Sequence, residues 1–265
     1  MQVPILTFHK VDKRFEWGVT RVTPLQFKQI LSFLKTEGYS SVSISDLFNS
    51  KIQLPEKPVI LNFDDSYENI YTNAFPLMQS YKVTSTIFII TGYVGKQNLW
   101  DVNVGWIRFK HLSWDQIKAL SDQGFEFGSH SVNHPDLTRI RQKDIYRELD
   151  YSKKEIEDKI GKKVRYISFP FGRYNDKVID VCKKVGYEKG CGFYFNHNSK
   201  TVNKENSFVL KRKAYYLFDG QFSLQAKLGR KPYDFFEDLK LKIISSCSYG
   251  TFLIKSMSYS FFNHK

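Results

Sequence analysis

The chain predicts a closed or nearly closed (β/α) barrel, and three features of its 265 residues carry that prediction. From Pro4 to about Arg212, short apolar runs alternate with segments of helical period, the rhythm of parallel strands joined by crossover helices. In the run Pro58-Val59-Ile60-Leu61-Asn62-Phe63 the apolar residues Val59, Ile60, Leu61 and Phe63 fall on both faces, as suits a strand covered on both sides. Ionisable residues stand directly after several of these runs, where parallel α/β folds place their sites.

Pro4 to Phe8 reads as the first strand and delivers His9 to its C-terminal end. Thr23-Pro24-Leu25-Gln26 is a capping box with proline at the first helical position, and Phe27, Ile30, Leu31 and Leu34 recur at helical spacing until Gly38. Tyr39 to Val42 predicts a second strand, Ser45 to Phe48 a short helix, and Pro58 to Phe63 the third strand, which ends on Asp64-Asp65. A helix from about Ser66 towards Ser80, disturbed by Pro76, leads to a β-branched strand over Thr84 to Ile90. The long loop from Gly92 to Leu112 carries Trp100, Trp106 and Phe109, a pattern that suits a wall for a sugar or a loop packed on the core.

Ser113-Trp114-Asp115-Gln116 opens a further helix, Phe125 to Gly128 a strand that feeds Ser129-His130, and Gln142 to Gly161 a helix with a charged outer face. Val164 to Phe169 is the next strand, before Pro170-Phe171-Gly172, and Asn175 caps a helix that runs to Val185. Strands near Tyr187 to Gly192 and Phe208 to Arg212 bring the number to about seven or eight. Past Asp219 the rhythm stops, so residues 1–219 are predicted as the barrel domain and 220–265 as a basic, aromatic-rich extension. In that tail Leu239, Ile243 and Ile244, with Lys240 and Lys242, fit either peripheral contact with an anionic membrane or ordinary packing on the barrel.

Forty Lys+Arg against 27 Asp+Glu give a net charge of +13, which favours anionic partners. The basic residues are scattered rather than striped and no nucleic-acid-binding motif is present, so no nucleic-acid partner is expected. Three cysteines without metal-type spacing suit a reducing compartment. With no basic leader and apolar core at the start, the expected location is the cytoplasm, with a membrane-peripheral position as an extension of that reading.

Asp64 and Asp65 are candidates for catalysis or metal binding, against the plainer reading that one of them caps the following helix. His130-Ser131-Val132-Asn133-His134 sets two imidazoles four residues apart, on one face if the segment makes a helical turn, a spacing that grips a cation. With one carboxylate added, the set is two imidazoles and an oxygen ligand with an open position, as a catalytic zinc site has.

Asn62-Phe63-Asp64-Asp65, then His130-Ser131-x-x-His134, then Phe169-Pro170-Phe171-Gly172 together resemble the polysaccharide deacetylases with a NodB-homology domain, carbohydrate esterase family 4. The resemblance spans about Pro4 to Arg212, and Ile5-Leu6-Thr7-Phe8-His9 is similar to the branch acting on surface poly-N-acetylglucosamine. It implies a distorted (β/α) barrel that removes acetyl groups, N-acetyl above all, from an amino-sugar glycan or a lipid-linked or nucleotide-linked precursor, with a divalent metal such as Zn2+. By motif, Asp64 is the base and Asp65, His130 and His134 the metal ligands. Pro170, Phe171 and Gly172 form the oxyanion side, through the Phe171 N–H. His9 is the candidate acid for the leaving amine, since the late Leu-x-His motif of many members is absent.

Many members also place an arginine two residues before the motif's proline to hold the catalytic aspartate. This chain has Ser168 there, leaving Arg165 or Arg173 as substitutes, and the fourth motif's aspartate is unassigned. His111, His197 and His264 have no matching context. The readings from other classes are another metal-dependent amide hydrolase on a barrel and an inactive carbohydrate-binding protein.

Overall fold

The computed structural model describes residues 3–16, 19–101, 107–193, 207–230, 237, 239 and 240. Trp106, His197, Leu241, Lys242, Ile243, Ile244, Cys247 and His264 lie outside the described residues. The strands are β1 (Ile5–Phe8), β2 (Lys10–Val11), β3 (Arg21–Val22), β4 (Ser40–Ser41), β5 (Pro58–Phe63), β6 (Thr86–Ile89), β7 (Glu126–Ser129), β8 (Tyr166–Ser168), β9 (Lys189–Phe193) and β10 (Val209–Ala214). The helices are α1 (Pro24–Thr36), α2 (Ile44–Phe48), α3 (Phe75–Tyr81), α4 (Trp114–Asp122), α5 (Gln142–Ile160), α6 (Asp176–Val185) and α7 (Gln221–Lys227).

Seven parallel strands run in the order β1, β10, β9, β8, β7, β6, β5, and β5 closes the barrel against β1 with Ile5 opposite Ile60 and Phe8 opposite Phe63. The eighth strand, β4, pairs with Pro58 and Val59 at the start of β5, while β6 pairs with Asn62 and Phe63 at its end. Parallel pairing points alternate residues of β5 to opposite edges, so β4 and β6 share the edge that β1 leaves. This shared edge is the distortion of the barrel.

Period two sorts the side chains. Leu6, Phe8, Leu61, Phe63, Ile87, Ile89 and Ile167 pack outward against Ile30, Leu31, Leu120, Leu149 and Val178 of the helices. Ile5, Ile60, Phe88, Tyr166 and Cys191 fill the interior. Gly128 pairs with Phe88 of the neighbouring strand β6, whose ring lies over it so that an added Cβ would stand 2.5 Å from the ring, and only glycine fits. Burial pushes the Cys191 thiol up to about 12, which makes it inert packing.

The capping boxes at Thr23 and Ser113 form as the spacing predicts, with each cap oxygen accepting from the third-position amide. The short helix starts earlier than expected, because Ser43 rather than Ser45 caps α2 in a box with Asp46. The expected helix from Ser66 is also broken. Asp65 and Ser66 adopt φ of 66° and 53°, Ile70–Ala74 forms a π-helical turn, and α3 follows with Pro76 in its first turn, where proline needs no partner. The parallel pair β2–β3 is too short to leave a pattern in the sequence. Beyond the barrel, α7 buries Leu224 and Ala226, and Lys227 is enclosed between Asp219 and Glu237. Lys240 bonds Asp219, Glu237 and Ser223, whereas Leu239 is exposed.

The N-terminal end of the barrel is closed by Glu126. Its carboxylate accepts from the Ile44 and Ser45 amides at 3.0 and 3.1 Å and from Thr86 Oγ1 at 2.6 Å, which ties α2 to β6 and β7. Glu126→Gln sets an amide N–H against one of those donors. Urea unfolding is expected to show a loss of about 1–3 kcal/mol.

Candidate active site

The parity that fills the barrel floor also builds its mouth. Two residues beyond the inward Ile5, Ile60, Tyr166 and Leu210 come Thr7, Asn62, Ser168 and Arg212, all buried, and the next step along β1 and β5 brings His9 and Asp64. Thr7 Oγ1 donates to Asn62 Oδ1 at 3.0 Å, and the Asn62 amide reaches Asp64 Oδ1 at 3.4 Å.

Asp64 is gripped by Arg212. Nη1 donates to Oδ1 at 2.8 Å and Nη2 to Oδ2 at 2.6 Å, a bidentate pair with both side chains buried. Burial pushes the Asp64 carboxyl up, but Arg212, aided by His130 and His9, outweighs it and holds the group below its ordinary range. Arg212 Nη2 also donates to Ser168 Oγ at 2.7 Å. Neither Arg165 nor Arg173 takes this part, because each is engaged elsewhere. Arg165 lies 3.5 Å from Glu188, and Arg173 donates to Asp136 at 2.8 Å. Sequence reasoning missed Arg212, although its parity with Leu210 inside a predicted strand was the available signal.

Asp65, His130 and His134 converge in the same mouth, their nearest ligand atoms all within 4.8 Å of one another and all three residues buried. The segment from His130 to His134 is a loop, not the helical turn that would put the pair on one face, with Ser131 and His134 at φ of 66° and 56°. Ser131 Oγ accepts from the His134 amide, and Glu148 accepts from the amides of Val132 and Asn133, which stiffens it. The Ser168 carbonyl only accepts, so the proton of His130 sits on Nδ1, 2.7 Å away, and Nε2 turns its lone pair inward.

A cation fits this set. His130 Nε2 and His134 Nε2 lie 3.2 Å apart and 3.4 and 3.7 Å from Asp65 Oδ1. A tetrahedron with metal–ligand bonds of about 2.0–2.1 Å has edges of about 3.3–3.4 Å. Burial raises Asp65, but the adjoining imidazoles of His130, His9 and His134 hold it far below the ordinary carboxylate range. Burial lowers His130, yet Asp64 and Asp65 leave it raised overall.

Phe171 takes φ of 58° between Pro170 and Gly172, and its ring meets that of His134 edge-on at 4.6 Å. Gly172 has φ of 64°, and a Cβ there would stand 2.3 Å from the Phe193 ring. His9 Nδ1 is buried and has no hydrogen-bond partner among the described residues. Burial lowers the His9 pKa against the raising fields of Asp65 and Asp64, and burial prevails. Trp100 and Phe109 are 8% and 1% exposed, so the packing reading of their loop holds for both. His111, which had no context in the sequence, lies under the site and bonds the Asp65 backbone.

The sequence model for polysaccharide deacetylases matches residues 51–190. A poly-beta-1,6-N-acetyl-D-glucosamine N-deacetylase of Staphylococcus aureus is 28% identical over 199 residues, 71% of this chain and 66% of that protein. A Bacillus subtilis relative described as a polysaccharide deacetylase is matched over 63% of its own length, so the chain spans just under two thirds of both curated relatives. Among solved structures, a Streptococcus pyogenes deacetylase in complex with acetate superposes with a TM-score of 0.68 at 25% identity, covering 82% of this chain and 93% of that one. A polysaccharide deacetylase from Bacillus cereus gives 0.70 at 26% identity, over 86% of this chain and 69% of that one.

Removing Arg212 leaves a buried carboxylate without its counter-charge, so Arg212→Met is expected to cost about 3–5 kcal/mol at neutral pH. Because the pair depresses Asp64 below its ordinary value of 3.8, its stabilisation is complete above that value and is lost as pH falls through the depressed one. Urea unfolding across pH should therefore show the gap between wild type and variant narrowing toward acid. The double variant Asp64→Asn/Arg212→Met should recover part of the loss.

Proposed function

This chain belongs to the polysaccharide deacetylase family, and from that footing we propose that it hydrolyses N-acetyl groups of an amino-sugar glycan with one zinc ion bound. The observation that carries the reading is the convergence of Asp64, Asp65, His130 and His134 in one barrel mouth, three of them in cation-binding geometry. The name of the Staphylococcus aureus relative supports the substrate class. Asp65, His130 and His134 would hold the ion. A divalent cation supplies polarisation of the acetyl carbonyl and acidification of the attacking water.

The chain's own residues then divide the proton work. Asp64, kept ionised and aligned by Arg212 and Asn62, takes a proton from the water as its oxygen bonds to the acetyl carbon. The Phe171 peptide N–H, on the turn set by Pro170 and Gly172, donates to the oxygen that gains charge. His9, whose neighbours include both aspartates, passes a proton to the sugar nitrogen as the C–N bond breaks, which releases acetate and a free amine. An inactive carbohydrate-binding protein has no need for a base held ionised by a buried arginine.

Acetate release is the test, across acetylated oligomers of N-acetylglucosamine, O-acetylated glycans and lipid-linked or nucleotide-linked amino sugars. The expected result is release from N-acetyl substrates and about one divalent ion per chain. His134→Ala should lose both ion and activity, whereas Asp64→Asn should keep the ion and lose turnover. His9→Ala should lower kcat on an N-acetyl substrate by a factor on the order of 10²–10⁴ at normal metal content, and far less on an activated ester, whose leaving group departs unprotonated. Equal losses on both compounds would remove His9 from the acid role.

A further inference from the structure

The surroundings of His111 allow only one protonation state of its ring. The Trp100 indole nitrogen lies 3.1 Å from His111 Nε2, and an indole N–H only donates, so Nε2 accepts. Nδ1 lies 2.6 Å from the Asp65 carbonyl oxygen, which only accepts, so Nδ1 carries the proton and donates. The opposite tautomer would set two donors against each other at Trp100 and two lone pairs against each other at Asp65. Stacking on Tyr67, with centroids 4.8 Å apart and planes at 19°, holds the ring in this plane.

The bond lands where the backbone is strained. Asp65 and Ser66 both take positive φ, at a cost of about 1–3 kcal/mol each, and such a turn persists only if its surroundings impose it. Three hydrogen bonds from one short segment impose it: His111 Nδ1 to Asp65 O, the Leu112 amide to Ser66 O at 2.8 Å, and the Glu68 amide to Lys110 O at 2.8 Å. Trp100 also packs its ring 4.2 Å from that of His134. The loop between β6 and α4 therefore touches two of the three cation-binding residues, one through its backbone and one through its ring.

We propose that His111, with Trp100 setting its tautomer, is a positioning residue that holds the Asp65 peptide in its left-handed turn and so fixes the Asp65 carboxylate against His130 and His134. This inference rests on the metal reading of the site. The ion-binding carboxylate depends on a histidine that neither touches the ion nor meets substrate. Partners of this kind are worth about 10- to 100-fold in metal affinity or activity.

The test uses the full chain and zinc. In metal-free protein, the ¹⁵N spectrum of the histidine rings should show His111 as the Nδ1–H tautomer. In chelator competition, His111→Phe should bind zinc about 10- to 100-fold more weakly than wild type, with kcat reduced and KM little changed. His111→Asn, whose amide N–H can reach the Asp65 carbonyl, should recover most of the affinity. Should His111→Phe fail to fold, His111→Asn and the wild-type tautomer carry the comparison. Wild-type zinc affinity in His111→Phe, or an Nε2–H tautomer in the wild type, overturns the proposal alone. A wild type that binds no zinc overturns the metal reading and this proposal with it.

Discussion

Two buried charges, the carboxylate of Asp64 and the guanidinium of Arg212, set the terms for everything at the mouth of this barrel. A carboxylate enclosed by protein tends to take up a proton and so is no longer free to accept one. Two parallel charge-assisted bonds from a side chain that is permanently cationic reverse that tendency. The pair joins the end of β5 to β10 across 148 positions of sequence, so it forms only when the barrel closes. Ser168 serves this arrangement twice. Its hydroxyl accepts from Arg212 and its carbonyl fixes His130, so one small residue of β8 aligns both the Asp64–Arg212 pair and His130.

Strain gathers at the same place. Of the six described non-glycine residues with positive φ, five lie at the mouth: Asp65, Ser66, Ser131, His134 and Phe171. The sixth, Lys82, ends α3 in an ordinary left-handed cap. Each mouth position costs on the order of a kilocalorie per mole or more, and each of the first two turns is braced from outside its own chain segment. Lys110 to Leu112 clasp the aspartate turn, and Glu148 of α5 clasps the histidine loop. The outer layer thus holds the backbone that presents Asp65, His130 and His134, and side chains held on such braced turns need little reorganisation to act.

Much of this protein is legible in its sequence, for a local reason. Strands covered on both faces are mostly apolar on both, so β1, β5 and β6 declare themselves, and capping boxes mark α1 and α4 because the bonds they make span three residues. The residues of the site also sit where strands end, so Asp64, Asp65, His130 and His134 could be singled out and are brought together in space. What the sequence by itself determined is the set of groups that need no distant partner to be recognised. Only the tertiary structure decided which arginine holds Asp64 and what His111 does. Among Lys211, Arg212 and Lys213, three similar side chains in a row, barrel closure turns only Arg212 onto Asp64, and residues 110–112 meet residues 65–68 through a loop whose composition is unremarkable. Contacts between residues far apart in sequence leave no periodic trace, because closure of the whole fold, not local spacing, creates them.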